Sequence, residues 1–246
     1  SQPKIDILMK SRNYGKRDSQ IMFLEYIKKY SKINVFDYSM FVDSDTFLEE
    51  SCIENSLKEF QAYKNVIAIC GYTSIDMTNA KTHIEYFQNF EYKLFHFFGK
   101  GFESSKMNSL ITCLPGCFTI VKMEFLNDDF ITLYSEDPIN SRKTGRNYWL
   151  DQLFRSNLLQ LGEDRYFTTI LARRALQTST DYKILYNSLC KIHTIAPNNL
   201  LTYVQQRRRW INSTICNTIR LLNSTTFFVK KPLLYISSLL DLIGVI

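Results

Sequence analysis

The run Tyr38-Ser39-Met40-Phe41-Val42 has strand character and stops abruptly at Asp43-Ser44-Asp45. Thr46 and Glu49 have the spacing of a capping box, which predicts a helix starting directly after the acidic pair. Leu48, Cys52, Ile53, Leu57 and Phe60 keep helical spacing, and Val66 to Cys70 reads as a short buried strand. Strand, acidic turn, helix and strand in that order make a βαβ unit, which demands an α/β domain with helices laid against a sheet. It also sets both aspartates at the carboxyl end of a strand, the edge where open α/β sheets bind ligands.

The 246 residues suffice for one large α/β domain or two small ones. Thirty basic residues against 24 acidic ones leave a net charge of +6, too balanced for a dedicated nucleic-acid binder, so no nucleic-acid partner is expected. The six cysteines show no CxxC spacing and several lie in apolar runs such as Ile67-Ala68-Ile69-Cys70. They read as buried thiols in a reducing compartment, not as a disulfide framework or a zinc site. No signal peptide is visible after Ser1. Leu233 to Ile246 is almost wholly apolar, and a spanning helix needs roughly 20 residues, so this stretch has the character of a membrane segment cut short. Lys230 and Lys231 before it would lie on the cytoplasmic side. The expectation is an excerpt of a longer membrane protein.

Elsewhere a helix is predicted over about 19–30, and another over 83–102 whose aromatic stripe (Phe87, Phe90, Phe95, Phe98) has the spacing of a core face. Ile111 to Val121 reads as a strand broken by the turn Leu114-Pro115-Gly116-Cys117. Residues 127–148 look like a polar insertion or surface loop, and 150–161 like a helix. An amphipathic helix follows to Leu176, then short strands at Tyr182 to Tyr186 and Cys190 to His193. After Pro197 a long helix carries Leu201, Val204, Arg208, Ile211, Ile215, Ile219 and Leu222 on one face, a pattern suited to a membrane interface.

Within that helix, Gln206, Arg209 and Trp210 share a face. An amide can hydrogen-bond sugar hydroxyls, a guanidinium can fork onto a diphosphate, and an indole offers a flat surface to a pyranose. Three adjacent arginines alone fit equally a basic helix on acidic lipid. Asp43 and Asp45 can hold a hard divalent cation, or simply cap the next helix. Asp164 can serve as a general base, although acidic residues at a helix start are also favoured by the dipole. Lys16 and Arg17 can meet phosphate, or merely solvent.

Taken jointly, the strings GKRDSQ (15–20), VDSDT (42–46), FES (102–104), TCLPGCFT (112–119), LGEDRYFTT (161–169) and QRRRWINST (206–214) resemble the fungal-type chitin synthases, processive inverting nucleotide-sugar transferases with a GT-A-like fold. The resemblance implies a mixed sheet flanked by helices over 1–196, an amphipathic interfacial helix carrying QRRRW over 197–229, and the start of a transmembrane helix over 230–246. It implies UDP-N-acetylglucosamine as donor, a chitin chain as acceptor, Mg2+ or Mn2+ as cofactor, a lipid membrane as partner and a homo-oligomer as an open alternative. It places the full-length protein as a multi-pass protein of the plasma membrane with a cytoplasmic catalytic domain. By the same resemblance Lys16, Arg17, Asp43, Asp45 and Arg209 bind the donor, with Asp45 on the metal. Asp164 is the base, Gln206 and Trp210 grip the acceptor, and Pro115, Gly116 and Cys117 shape its entrance. Cellulose- or hyaluronan-type synthases share the DxD, ED and QxxRW pieces and stand as the alternative. A non-enzymatic module binding lipid or nucleic acid would need neither aspartate cluster. DSD replaces the commoner DAD, at a position whose side chain should not ligate metal, and the opening strand of relatives is missing.

Overall fold

A computed structural model describes residues 7–12, 14–30, 36–78, 80–135 and 162–245. A five-stranded mixed sheet organises them: β1 (Tyr38–Val42), β2 (Thr46–Leu48), β3 (Val66–Ile75), β4 (Phe118–Lys122) and β5 (Lys183–Thr194). The spatial order is β1-β4-β3-β5-β2. β3 and β5 run parallel, whereas β4 is antiparallel to β1 and β3, and β2 is antiparallel to β5. β3 is central and buried almost throughout, as its apolar run VIAICGYTSI requires of a strand covered on both faces. β1 and β3 are indeed parallel, but β4 lies between them, so the predicted βαβ crossover skips one strand.

Helices cover both faces. α2 (Cys52–Ala62) packs on one, where Val66, Ile69, Phe118, Ile120, Leu185 and Ile192 form a core with Phe60. The larger core holds α1 (Lys16–Tyr30), α4 (Asp128–Ser135) and α5 (Glu163–Gln177), with Leu24, Ile67, Val121, Phe130 and Tyr134 around Phe167, Ile170 and Leu171. Each fully buried side chain of that size contributes roughly 1.5–3 kcal/mol. Phe130, Ile131 and Tyr134 therefore anchor 128–135 in the core, so this stretch is not a polar surface insertion. The rest of that expected loop and the predicted helix over 150–161 lie outside the described residues.

Four further expectations are corrected. Thr46 and Glu49 form no capping box: Thr46 pairs with Thr194 as part of β2, its hydroxyl is buried without a partner among the described residues, and Glu49 turns to His193 instead. Strand pairing outcompetes the local cap, and the helix begins only at Cys52. Second, Cys52 is joined to Cys190 by a disulfide, while Cys70, Cys113, Cys117 and Cys216 are free. Packing of α2 on β5 brings together two cysteines 138 residues apart, a proximity no local spacing reveals. The two predicted short strands are one, β5, with a register shift opposite Gly71, where a β-carbon would strike Cys190 and Ile192.

The fourth correction concerns α3 (His83–Leu94), which continues through a π-helical turn, Phe95–Lys100, into Gly101–Glu103. Its start is a true capping box, with Glu85 N donating to Thr82 Oγ1 (3.3 Å) and Thr82 N to Glu85 Oε2 (2.8 Å). The aromatic stripe is not core. Phe87, Phe90, Phe95 and Phe98 are all more than half exposed, whereas Gln88, His96 and Lys100 are buried. The inward stripe is polar and finds partners: Gln88 Nε2 donates to Pro197 O (2.8 Å), and Lys100 Nζ meets Glu103 Oε2 (3.4 Å) and the Cys113 carbonyl. Tyr72, Tyr92, Phe95 and Tyr186 ring His96, and burial pushes its imidazole down to about 3, so it stays neutral.

α6 (Leu200–Leu222) is capped by Asn199, whose side chain accepts from Thr202 N (2.9 Å). It too turns polar and small residues inward: Ser213, Cys216 and Asn217 are buried while Leu201, Val204 and Ile211 are exposed. α7 (Thr225–Lys230) and α8 (Pro232–Val245) follow; α8 packs on α6, and its Leu234 and Ser238 are buried. Among the described residues no helix is long and apolar enough to cross a membrane.

Candidate active site

Register brings the site together. Val42, the last residue of β1, pairs with Phe118, the first of β4, so Asp43 emerges beside the Pro115-Gly116-Cys117 turn. The first residues of α1 and α5 reach the same edge. Lys16 Nζ lies 2.6 Å from Asp43 Oδ1, 3.4 Å from Asp164 Oδ1 and 3.5 Å from Glu163 Oε1. One ammonium thus serves three carboxylates. Burial opposes its charge, yet Asp164, Asp43 and Glu163 hold it above the ordinary lysine range.

Asp164 behaves oppositely. Burial against the turn raises its carboxyl to about 7; Lys16 opposes the rise, and Glu163 and Asp43 add to it. A carboxylate poised near neutrality suits a general base. α5 also fixes the turn above it: Thr168 Oγ1 donates to Asp164 O (2.7 Å) and accepts from Leu114 N (2.8 Å). Gly116 sits so close that a β-carbon would strike Lys16 Nζ and both Asp164 oxygens. The Cys117 sulfur contacts Thr73 Oγ1 at 3.2 Å. Burial pushes its thiol up to about 12, which makes it a neutral liner and not a nucleophile.

The other predicted residues occupy neighbouring positions. Arg17 Nε donates to Tyr134 O (2.9 Å) and its guanidinium lies over the Tyr134 ring, so α4 holds it. Asp45 is exposed, and among the described residues no group of three His, Cys, Asp or Glu converges to hold a metal. Arg209 is exposed on α6. Gln206 is half-buried with its Oε1 unpartnered among the described residues, and Trp210 packs 6.1 Å from Tyr92 between ring centroids. Tyr92 links the two groups. Burial raises its phenol, with Cys117 and Asp45 adding to the rise and Arg207 opposing it. A second link is Gly162, against which Ser213 of α6 packs without room for a β-carbon.

Sequence reasoning missed Glu91, Tyr92 and Arg207. The signal for Tyr92 was the polar stripe Gln88, Tyr92, His96, Lys100 at intervals of four, which marks the inward face of α3.

A family model described as chitin synthase matches residues 30–229. The chain is 32% identical over 241 residues to chitin synthase 8 of Mycosarcoma maydis, covering 85% of this chain and 11% of that protein. It is 33% identical over 243 residues to chitin synthase 5 of Cryptococcus neoformans var. grubii, covering 86% and 12%. It is 32% identical over 241 residues to chitin synthase csmA of Aspergillus niger, covering 85% and 14%. The chain thus spans about an eighth of the length of such relatives.

Proposed function

Because this chain belongs to the chitin synthase family, we propose that it transfers N-acetylglucosamine from its UDP donor to the non-reducing end of a β-1,4 chitin chain, with inversion. The observation that carries this reading is Asp164, a carboxyl raised to about 7 and set against the Gly116 turn beside Asp43. The chain-end hydroxyl attacks the anomeric carbon, its proton passes to Asp164, and the bond from that carbon to the diphosphate breaks. Lys16 and the exposed Arg209 offset charge on the departing diphosphate, and Arg17 supports the nucleotide side. Gln206 and Trp210 receive the acceptor sugar, while Pro115, Gly116 and Cys117 line its approach.

An exposed Asp45 beside a lysine-paired Asp43 fits a cation held by one or two carboxylates plus phosphate oxygens, the ligand set Mg2+ prefers. Such an ion, Mg2+ or Mn2+, would supply charge stabilisation at the diphosphate. The exposed apolar sides of α3, α6 and α8 support a membrane surface as partner, in keeping with a multi-pass plasma-membrane protein whose catalytic domain is cytoplasmic. The family model and the relatives favour chitin over a cellulose- or hyaluronan-type product.

The test is incorporation of labelled sugar by the full-length protein in membranes. UDP-N-acetylglucosamine should yield chitinase-sensitive polymer, and UDP-glucose and UDP-glucuronate should not compete. Polymer built from UDP-glucose would overturn the assignment.

A further inference from the structure

Where α3 meets α6, a carboxylate, a guanidinium and two aromatic rings form a unit that neither the base nor the donor carboxylates use. Tyr203, Arg207 and Trp210 stand at intervals of four and three on one face of α6. The Arg207 guanidinium carbon lies 4.8 Å from the Tyr203 ring centroid and 4.3 Å from that of Trp210. Arg207 Nη2 is 2.5 Å from Glu91 Oε2, and the Tyr203 hydroxyl is 3.3 Å from each Glu91 oxygen. Arg207 Nε is buried with no hydrogen-bond partner among the described residues, so Glu91 is the anion that anchors this cation. The arginine side chain is 19% exposed and its glutamate 33%, which shields the pair from solvent.

The geometry points to Glu91 as a positioning residue: it holds Arg207 flat against Trp210, so that the indole keeps one plane and offers only its opposite face to a sugar. Arginine has a long flexible stem, and without a fixed anion it would join the exposed Arg208 and Arg209 in solvent. A stacked cation also leaves the indole less room to swing into other rotamers, a requirement for reproducible sugar stacking. Tyr92, the next residue after Glu91, braces the indole from α3. The arginine row is therefore divided: Arg207 sets the acceptor platform, and Arg208 and Arg209 stay exposed.

This inference rests on Trp210 as the acceptor platform, and the experiment separates the two. In the full-length enzyme in membranes, KM for a chito-oligosaccharide acceptor and for the UDP donor are measured for Glu91→Gln, Arg207→Lys, Trp210→Ala and their combinations. Glu91→Gln keeps size and hydrogen-bonding shape but removes the charge. It should raise acceptor KM about 5- to 10-fold and leave donor KM unchanged, and Arg207→Lys should do the same. In the Trp210→Ala background Glu91→Gln should add nothing. A Trp210→Ala enzyme impaired in acceptor KM beside an unaffected Glu91→Gln enzyme would overturn the positioning role alone. Equal, multiplying losses from the two substitutions would overturn it as well. An unchanged acceptor KM in Trp210→Ala would overturn both readings. If Glu91→Gln does not fold, Arg207→Lys in the two backgrounds gives the same decision.

Discussion

Gly162 and Ser213 meet so closely that a β-carbon on Gly162 would overlap the serine side chain. Gly162 immediately precedes Glu163 and Asp164, and Ser213 stands three residues beyond Trp210. The contact therefore sets the spacing between Asp164 and Trp210. A hydrogen-bonded pair extends it, Thr169 Oγ1 to Asn217 Oδ1 at 3.2 Å.

Gly162→Ala should separate α5 from α6 and destabilise the protein by about 1–3 kcal/mol, the usual cost of overpacking. Thermal unfolding checks this, and Ser213→Gly should recover part of the loss by vacating the space.

Asp164→Asn retains shape but removes the proton acceptor. General-base catalysis contributes about 10²–10⁴-fold, so polymer formation should fall by that order while UDP binding persists. Were Asp164 merely a helix-start residue, Asn would serve nearly as well, and a near-normal rate would show it.

The pH profile follows from the same group. With its carboxyl raised to about 7, Asp164 loses the charge that accepts a proton as pH falls, so kcat/KM should drop on the acidic side through that pH. Lys16 opposes the rise, so Lys16→Met should move the acidic limb to higher pH. Stability has the opposite sign: the folded form holds this proton more tightly than the unfolded chain. Asp164 therefore contributes stability below the ordinary carboxylate range, and that contribution is lost as pH climbs toward about 7.

Asp45→Asn should abolish the dependence of UDP binding on divalent cation. A titration of UDP binding against Mg2+ or Mn2+ that matches the unaltered protein would remove Asp45 from the metal.

The strand before Asp43, the turn at Pro115 and the helix after Gly162 were legible because each is local: an apolar run ended by acids, a proline-glycine pair, an acidic helix start. The carboxylate cluster was half legible. Lys16 and Asp164 could be nominated from their strings, but their meeting across 148 positions comes from the packing of α1 and α5 in one core. Thr46 misled because a three-residue edge strand takes its structure from β5, far along the chain. Cys52 and Cys190 were invisible as a pair for the same reason. Arg207 was passed over because the helical wheel nominates faces without saying which of them another helix will meet.

The outward aromatics of α3 have a practical consequence. Since Gln88, His96 and Lys100 make the inward contacts and Phe87 meets Tyr203 of α6, the exposed Phe90, Phe97 and Phe98 contribute little to holding the helix in place. They govern instead how the domain behaves in water, where so many bare rings promote clumping. A soluble form for crystallisation should therefore be sought by exchanging these three for polar residues. The fold should survive all three exchanges, whereas replacing Lys100 by leucine, a gain by any hydrophobicity scale, should unravel the π turn.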